Sequence, residues 1–132
     1  MEGFRKRFMA ITKTANDLIG TSASKQTVAA SGTAIATARD VSDIIGIVIH
    51  CLVTYGATAP DSDPLIEIFT SPDNANFDTY AYVEEDVPRL VNSDRMVSIP
   101  LGPEIKYFKV KVTNGASQPI DVWISDVEMK NE

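Results

Sequence analysis

His50 is the only histidine in the chain, and it is the first residue to test for chemistry. A catalytic histidine needs a nucleophile and usually a carboxylate around it, and no local spacing supplies them. Its neighbour Cys51 points to the opposite face of a straight strand, so the two cannot form a cysteine–histidine dyad there. We therefore predict that both residues are structural, that the chain has no catalytic residues and that it is not an enzyme. A hydrolase such as an esterase is the weakest alternative, because no Ser/His/Asp signature surrounds His50.

Residues 71–78 read SPDNANFD and hold a second candidate for chemistry, a calcium loop. Asn74, Asn76 and Asp78 have the i, i+2, i+4 spacing of calcium ligands, and Glu85 falls at the twelfth position of such a loop. The glycine that the sixth position requires is missing, and no helices flank the segment. We predict a hairpin turn rich in Asn and Asp, with neither a bound metal ion nor a cofactor.

Exposed aromatic residues are the third candidate. Tyr80 and Tyr82 share one side of an expected strand, and Trp123 points outward from another strand. Aromatic rings beside carboxylates such as Asp73 can stack on a sugar or anchor a protein interface. We favour a protein interface at Tyr80, Tyr82 and Trp123. The alternative is a carbohydrate-binding module that uses these three residues together with Asp73.

The elements that would position these residues are β-strands. Short apolar runs are separated by turn residues such as Asn114 and Gly115, and no credible helix follows residue 25. The odd-numbered residues of 44–55 are all apolar or aromatic, which predicts one buried face, and the changed alternation after residue 124 predicts a bulge near Asp126. Candidate strands are residues 26–30, 33–41, 44–55, 64–70, 77–83, 95–101, 105–113 and 119–129. About eight such strands predict an all-β fold, an antiparallel β-sandwich that is jelly-roll-like.

The first 25 residues differ from the rest and divide the chain into an N-terminal arm, residues 1–25, and a β-sandwich domain, residues 26–132. The arm has a net charge of +3, which leaves −9 on the remainder. Phe4, Phe8 and Ile11 recur at helical spacing, so we predict a short amphipathic helix or a docking arm. A basic arm beside an acidic body could dock on neighbouring copies of that body.

The bulk composition argues against several classes of partner and location. A net charge of −6 argues against direct binding of nucleic acid, which needs a basic surface. No apolar run approaches the roughly 18 residues of a membrane span, and the start of the chain lacks the apolar stretch of a signal peptide. The single cysteine, Cys51, excludes a disulfide within the chain and suits a reducing compartment.

The segment 65–80, LIEIFTSPDNANFDTY, is similar to a pattern in small β-sandwich modules of tailed-bacteriophage virions. In that pattern a strand ends in Ser-x-Asp followed by Gly or Asn, and an aromatic and an acidic residue come next. The aromatic strand 105–114, IKYFKVKVTN, and the closing strand 119–124, PIDVWI, continue the resemblance. Discoidin-type and other carbohydrate-binding sandwiches have a related turn, usually with glycine where this chain has Asn74.

The resemblance implies a non-enzymatic structural protein of a virion. It would be a capsid-associated or decoration protein, or a neck or tail component, made in the host cytoplasm and working as a homo-oligomer. Its partners would be other virion proteins and copies of itself. The arm residues expected at the assembly interface are Phe4, Arg5, Lys6, Arg7, Phe8 and Ile11.

Overall fold

Residues 10–131 are described by the computed structural model, and they form two antiparallel β-sheets packed face to face. Sheet A has the order β1-β10-β5-β8, with β2 also paired to β10; sheet B has the order β3-β9-β6-β7, with β4 also paired to β9. The predicted all-β antiparallel sandwich is confirmed. The ten strands are β1 (Ile11–Ile19), β2 (Gln26–Val28), β3 (Thr33–Ile35), β4 (Arg39–Asp40), β5 (Gly46–Thr54), β6 (Leu65–Ser71), β7 (Val83–Asp86), β8 (Asp94–Leu101), β9 (Tyr107–Thr113) and β10 (Ile120–Asn131).

The core lies between the sheets and is built from every second residue of the central strands. Side chains alternate across a strand, so a strand with one buried face contributes alternate residues to the core. The buried residues of the four central strands include Ile47, Ile49, Cys51, Val53, Ile66, Ile68, Phe108, Val110, Val112, Ile120, Val122 and Ile124. In β5 this is the alternation that the sequence predicts.

The described part of the N-terminal arm is a strand, where the spacing predicted a helix. Residues 11–19 form β1, which is antiparallel to β10 along its length. The helix prediction is wrong for this segment because the edge of β10 offers backbone partners, and isoleucine and threonine favour extended backbone. Residues 10–131 contain no helix at all, and so no helix long and apolar enough to cross a membrane. The arm residues Phe4, Arg5, Lys6, Arg7 and Phe8 lie outside the described residues.

The strand predicted over residues 77–83 is also wrong, because this segment belongs to the loop between β6 and β7. Pairing with β6 starts only at Val83. Before that point, the carboxylate of Asp78 accepts hydrogen bonds from the backbone N–H and the hydroxyl of Thr70, at 2.8 and 2.7 Å. These bonds fold the loop against the end of β6 instead of letting it extend beside the strand.

The bulge expected near Asp126 lies in β1, between Asp17 and Ile19, while β10 pairs with β5 without a shift. The side chain of Asp126 therefore points between the sheets and is fully buried. Asn16 Nδ2 donates a hydrogen bond to Asp126 Oδ1 at 2.9 Å. Burial raises the pKa of Asp126, and the bond from Asn16 and the charge of Arg39 oppose that rise.

Arg39 joins the two sheets at this buried carboxylate. It lies in β4 of sheet B and reaches across to β10 of sheet A. Its Nη1 atom is 3.6 Å from Asp126 Oδ2, and its Nη2 atom pairs with the carboxylate of Glu128. One cation thus serves two inward-facing carboxylates of the same strand.

Candidate functional site

The outward face of sheet A is the surface that brings together the side chains best suited to binding. Because alternate residues of each strand fill the core, the residues between them point away from sheet B. We call this surface the outer A face. It comprises Lys13, Ala15, Asp17, Val48, His50, Leu52, Thr54, Asp94, Met96, Ser98, Asp121, Trp123, Ser125 and Val127. The register sets Trp123, Leu52 and Met96 in one row across β10, β5 and β8.

A hollow of about 370 Å³ lies on the outer A face. Trp123, Met96 and Val127 provide apolar walls, and Asp17 and His50 provide polar groups. The volume and the mixture of apolar walls with a few polar groups are typical of a binding pocket.

Trp123 is held in a fixed position at the edge of this hollow. Its Nε1–H donates a hydrogen bond to Asp17 Oδ1 at 2.7 Å, which ties the half-buried indole to β1. Met96, on the far side of the hollow, is 48% exposed. A large aromatic ring that is already ordered loses little conformational entropy when a partner covers it.

His50 lies in the middle of the outer A face, with its Nδ1 atom 2.9 Å from the hydroxyl oxygen of Ser98. A serine–histidine pair is one part of a nucleophilic triad, which also needs a carboxylate to orient the imidazole. Among residues 10–131 no carboxylate is hydrogen-bonded to His50, and the nearby Asp17 is bonded to Trp123 instead. Cys51 points into the core as expected, and burial raises the pKa of its thiol to about 12.

Charge on the outer A face is concentrated at one end. The register places Asp121 and Asp94 on either side of Thr54, next to the row that contains Trp123. Asp17 lies one row from the indole on the opposite side, so carboxylates lie on both sides of the row that contains Trp123. Lys13 lies at the opposite end of β1, away from these carboxylates.

The turn at residues 71–78 forms its own closed hydrogen-bond network. The carboxylate of Asp73 accepts hydrogen bonds from the backbone N–H groups of Ala75 and Asn76, at 2.9 and 2.8 Å, and these bonds hold its pKa well below the usual range. Asn74 has a φ of 63°, the left-handed conformation that asparagine tolerates in turns. Residues 10–131 contain no group of three or more His, Cys, Asp or Glu side chains that could hold a metal ion.

Tyr80 and Tyr82 are not neighbours of Trp123. Both tyrosines lie in the loop between β6 and β7 of sheet B, where they are 87% and 50% exposed. Tyr82 donates a hydrogen bond from its hydroxyl to Glu104 Oε1 at 3.1 Å, in the loop between β8 and β9. Ile11, at the start of β1, is 54% exposed. The structure therefore does not assemble Tyr80, Tyr82 and Trp123 into one surface.

Two residues of the hollow, Asp17 and Met96, were not singled out from the sequence. Asp17 falls in the segment whose spacing suggested a helix, and only as part of a strand does it reach Trp123. Met96 alternates with Arg95 and Val97 in a short run whose outward side is otherwise polar, so its pattern carries no special signal. Their proximity to Trp123 depends on the pairing of strands that are distant in sequence.

No family model matches this chain, and no curated protein matches it. The fold is similar to several solved structures. The exported protein XepA of PBSX has a TM-score of 0.59 over 90% of this chain and 37% of that chain, at 12% identity. The SPBc2 prophage-derived protein YomS has a TM-score of 0.51 over 91% of this chain and 95% of that chain, at 9% identity. The VP2 subviral particle of infectious bursal disease virus has a TM-score of 0.58 over 92% of this chain and 33% of that chain, at 7% identity. At these identities the likeness establishes a shared β-sandwich fold.

Proposed function

We propose that this chain is a non-enzymatic structural protein of a tailed-phage virion, capsid-associated or part of the neck or tail. It works through assembly contacts with other virion proteins and with copies of itself. The observation that carries the proposal is the outer A face, a continuous surface built around the row of Trp123, Leu52 and Met96. The fold likeness to two phage-derived proteins and to the protein of a viral particle supports the same class.

The two outward faces of the sandwich differ in a way that favours the outer A face as the interface. On sheet B, Glu67 is paired in register with Lys111 and with Glu84, and Lys109 lies 4.3 Å above the ring of Phe77. Such a face is well solvated, and its charged groups are costly to bury. The outer A face has an uncharged row of Trp123, Leu52 and Met96 across three strands, and aromatic residues and Met are enriched at protein interfaces.

A non-enzymatic role is supported by how the reactive side chains are used. Cys51 is buried in the core, and burial raises the pKa of its thiol to about 12, which suppresses the nucleophilic thiolate. His50 is hydrogen-bonded to Ser98 without a carboxylate to orient it among the described residues. A structural protein needs neither group for chemistry.

The test is to look for the chain in particles. Phage particles from the cells that encode the chain are banded on a density gradient, and each fraction is analysed by quantitative mass spectrometry. We expect the chain to follow the major capsid protein through the gradient at a constant ratio of several copies per particle. Its presence only in the soluble fraction, with particles complete and infectious after deletion of its gene, would refute the proposal.

A carbohydrate-binding module is the second candidate, and the hollow beside Trp123 is the observation that favours it. An indole with the carboxylate of Asp17 and the imidazole of His50 could stack on a sugar ring and hydrogen-bond its hydroxyls. A glycan array with the wild type, Trp123→Ala and Tyr80→Ala decides this point. Binding that is lost in Trp123→Ala and kept in Tyr80→Ala would support the module, and an array without binders would exclude it.

A further inference from the structure

The segment before β1 and the outer A face have complementary compositions. Residues 1–9 read MEGFRKRFM, in which three consecutive cations, Arg5 to Arg7, are bracketed by Phe4 and Phe8. The hollow has apolar walls at Trp123 and Met96 and the carboxylate of Asp17 in its lining, and Asp94 and Asp121 lie one row beyond Trp123. The cations of the segment are thus opposite in charge to these carboxylates, and its phenylalanines suit the apolar walls.

The spacing of the two phenylalanines suits a single groove in either regular conformation. Residues four apart lie on one side of a strand, and they also share one face of a helix. Phe4 and Phe8 can therefore enter the same apolar hollow together, whichever conformation the segment takes. In a strand Lys6 shares the side of the two phenylalanines, and in a helix Arg5 and Arg7 flank that side. Either conformation brings cations toward Asp17, Asp94 and Asp121, which lie on the two sides of the Trp123 row.

The position of β1 argues against docking of the segment on its own chain. β1 starts at the end of sheet A that carries Met129 and Lys13, and Asp94 and Asp121 lie at the other end. A simple reversal at residue 10 would place Arg7 opposite Lys13 and Arg5 opposite Ala15. That arrangement sets like charges together and leaves Asp94 and Asp121 unmatched.

We propose that residues 1–9 of one copy bind the outer A face of a neighbouring copy. Phe4 and Phe8 enter the hollow beside Trp123, and the cations between them pair with Asp17, Asp94 and Asp121. The inference rests on the proposed assembly function and names the contact that performs it. Because the donor and acceptor surfaces differ, the contact is heterologous and produces either a closed ring or a filament.

The full-length chain can test this contact directly, because Trp123 is its only tryptophan. The donor variant Phe4→Ser/Phe8→Ser has an intact outer A face, and the acceptor variant Met96→Lys has an intact segment and a cation in the hollow. Molar mass by light scattering and the emission maximum of Trp123 are recorded against protein concentration. We expect the wild type to self-associate with a blue shift of the emission, and each variant to be weakened by at least about tenfold.

Mixing the two variants separates association between copies from docking within one chain. The donor variant supplies the outer A face and the acceptor variant supplies the segment, so the mixture should form a heterodimer that neither variant forms alone. The matched control is Ile35→Lys, which changes a 59% exposed apolar residue of sheet B and should associate like the wild type.

Three results would overturn the inference. They are a mixture that stays monomeric, equal weakening by Ile35→Lys, and a change of Trp123 emission that depends on Phe4 and Phe8 but not on concentration. None of them bears on whether the chain is found in particles, because a virion protein can bind other virion proteins without self-association. The failure of this contact is therefore distinguishable from the failure of the proposed function.

Discussion

Replacing Arg39 with methionine should destabilise the fold strongly, because Arg39 is the cation for a carboxylate buried between the sheets. Asp126 is fully buried, and the side chain of Arg39 is 23% exposed. Removing one partner of a buried ion pair typically costs 3–5 kcal/mol, and the partial exposure of Arg39 puts our expectation at the lower end, about 3 kcal/mol. For a domain of this size the midpoint of thermal unfolding should fall by about 10 °C.

The stability lost in Arg39→Met should be larger at neutral pH than at acidic pH. Burial raises the pKa of Asp126 in the folded state, and removal of Arg39 takes away one influence that lowers it. A folded-state pKa above the unfolded value means that the folded protein binds the proton more tightly. The penalty of the charged carboxylate is then greatest at neutral pH, and it is relieved as the pH falls through the raised pKa.

Urea denaturation at about pH 7 and about pH 4, followed by Trp123 emission and circular dichroism, measures both effects. Adding Asp126→Asn to Arg39→Met should restore part of the lost stability at neutral pH, since the unpaired charge is gone. Lys130→Met removes an exposed ion pair with Asp43 and serves as the control, with no measurable change expected. A loss below about 1 kcal/mol for Arg39→Met, or an equal loss at both pH values, would contradict this account.

Four other residues give predictions that can be checked with the same purified protein. Gly20 has a φ of 64°, and an added Cβ would lie 2.7 Å from the carbonyl oxygen of Val122, so Gly20→Ala should cost about 2 kcal/mol or more in urea denaturation. Gly56→Ala, whose Cβ meets nothing within 4 Å, should stay within about 0.5 kcal/mol of the wild type. The thiol of Cys51 should not react with a thiol-specific disulfide reagent until the protein unfolds, and fast reaction of the native protein would contradict its burial. Asp73→Ala should lower the urea midpoint at neutral pH. The difference in midpoint from the wild type should shrink as the pH falls below the unfolded-state pKa of Asp73 toward its lowered folded-state pKa. A difference that does not depend on pH would exclude the carboxylate as its cause.

Much of the fold could be predicted from the sequence because the central strands have one buried face. The period-two pattern of β5 and β9 is a local signal, and so are the turn residues Asp73 and Asn74. Strand β1 could not be predicted in this way, because most of its residues are polar and the spacing of its few apolar residues indicated a helix. Its conformation is set by pairing with β10, a contact between opposite ends of the chain.

The candidate site was predicted only in part, for a related reason. Trp123 could be placed on an outward face from the alternation of its own strand. Its neighbours Asp17 and Met96 belong to strands that precede it by many residues, and only the sheet order makes them adjacent. Tyr80 and Tyr82 were grouped with Trp123 by residue type, and the loop that holds them lies on the other sheet.

The order of strands in sheet A determines when this protein can finish folding during synthesis. β10 is the last described strand to leave the ribosome, and it is central, between β1 and β5. Asn16 of β1 is bonded to Asp126 of β10, which is synthesised 110 residues later. The edge strand β1 therefore cannot pair with β10 before that point. Strand pairing over such separations is slow, so the nascent chain keeps β1 without this partner until β10 has been made. A copy can therefore offer a formed outer A face only after β10 has emerged, which places the folding of this face before its assembly with other subunits.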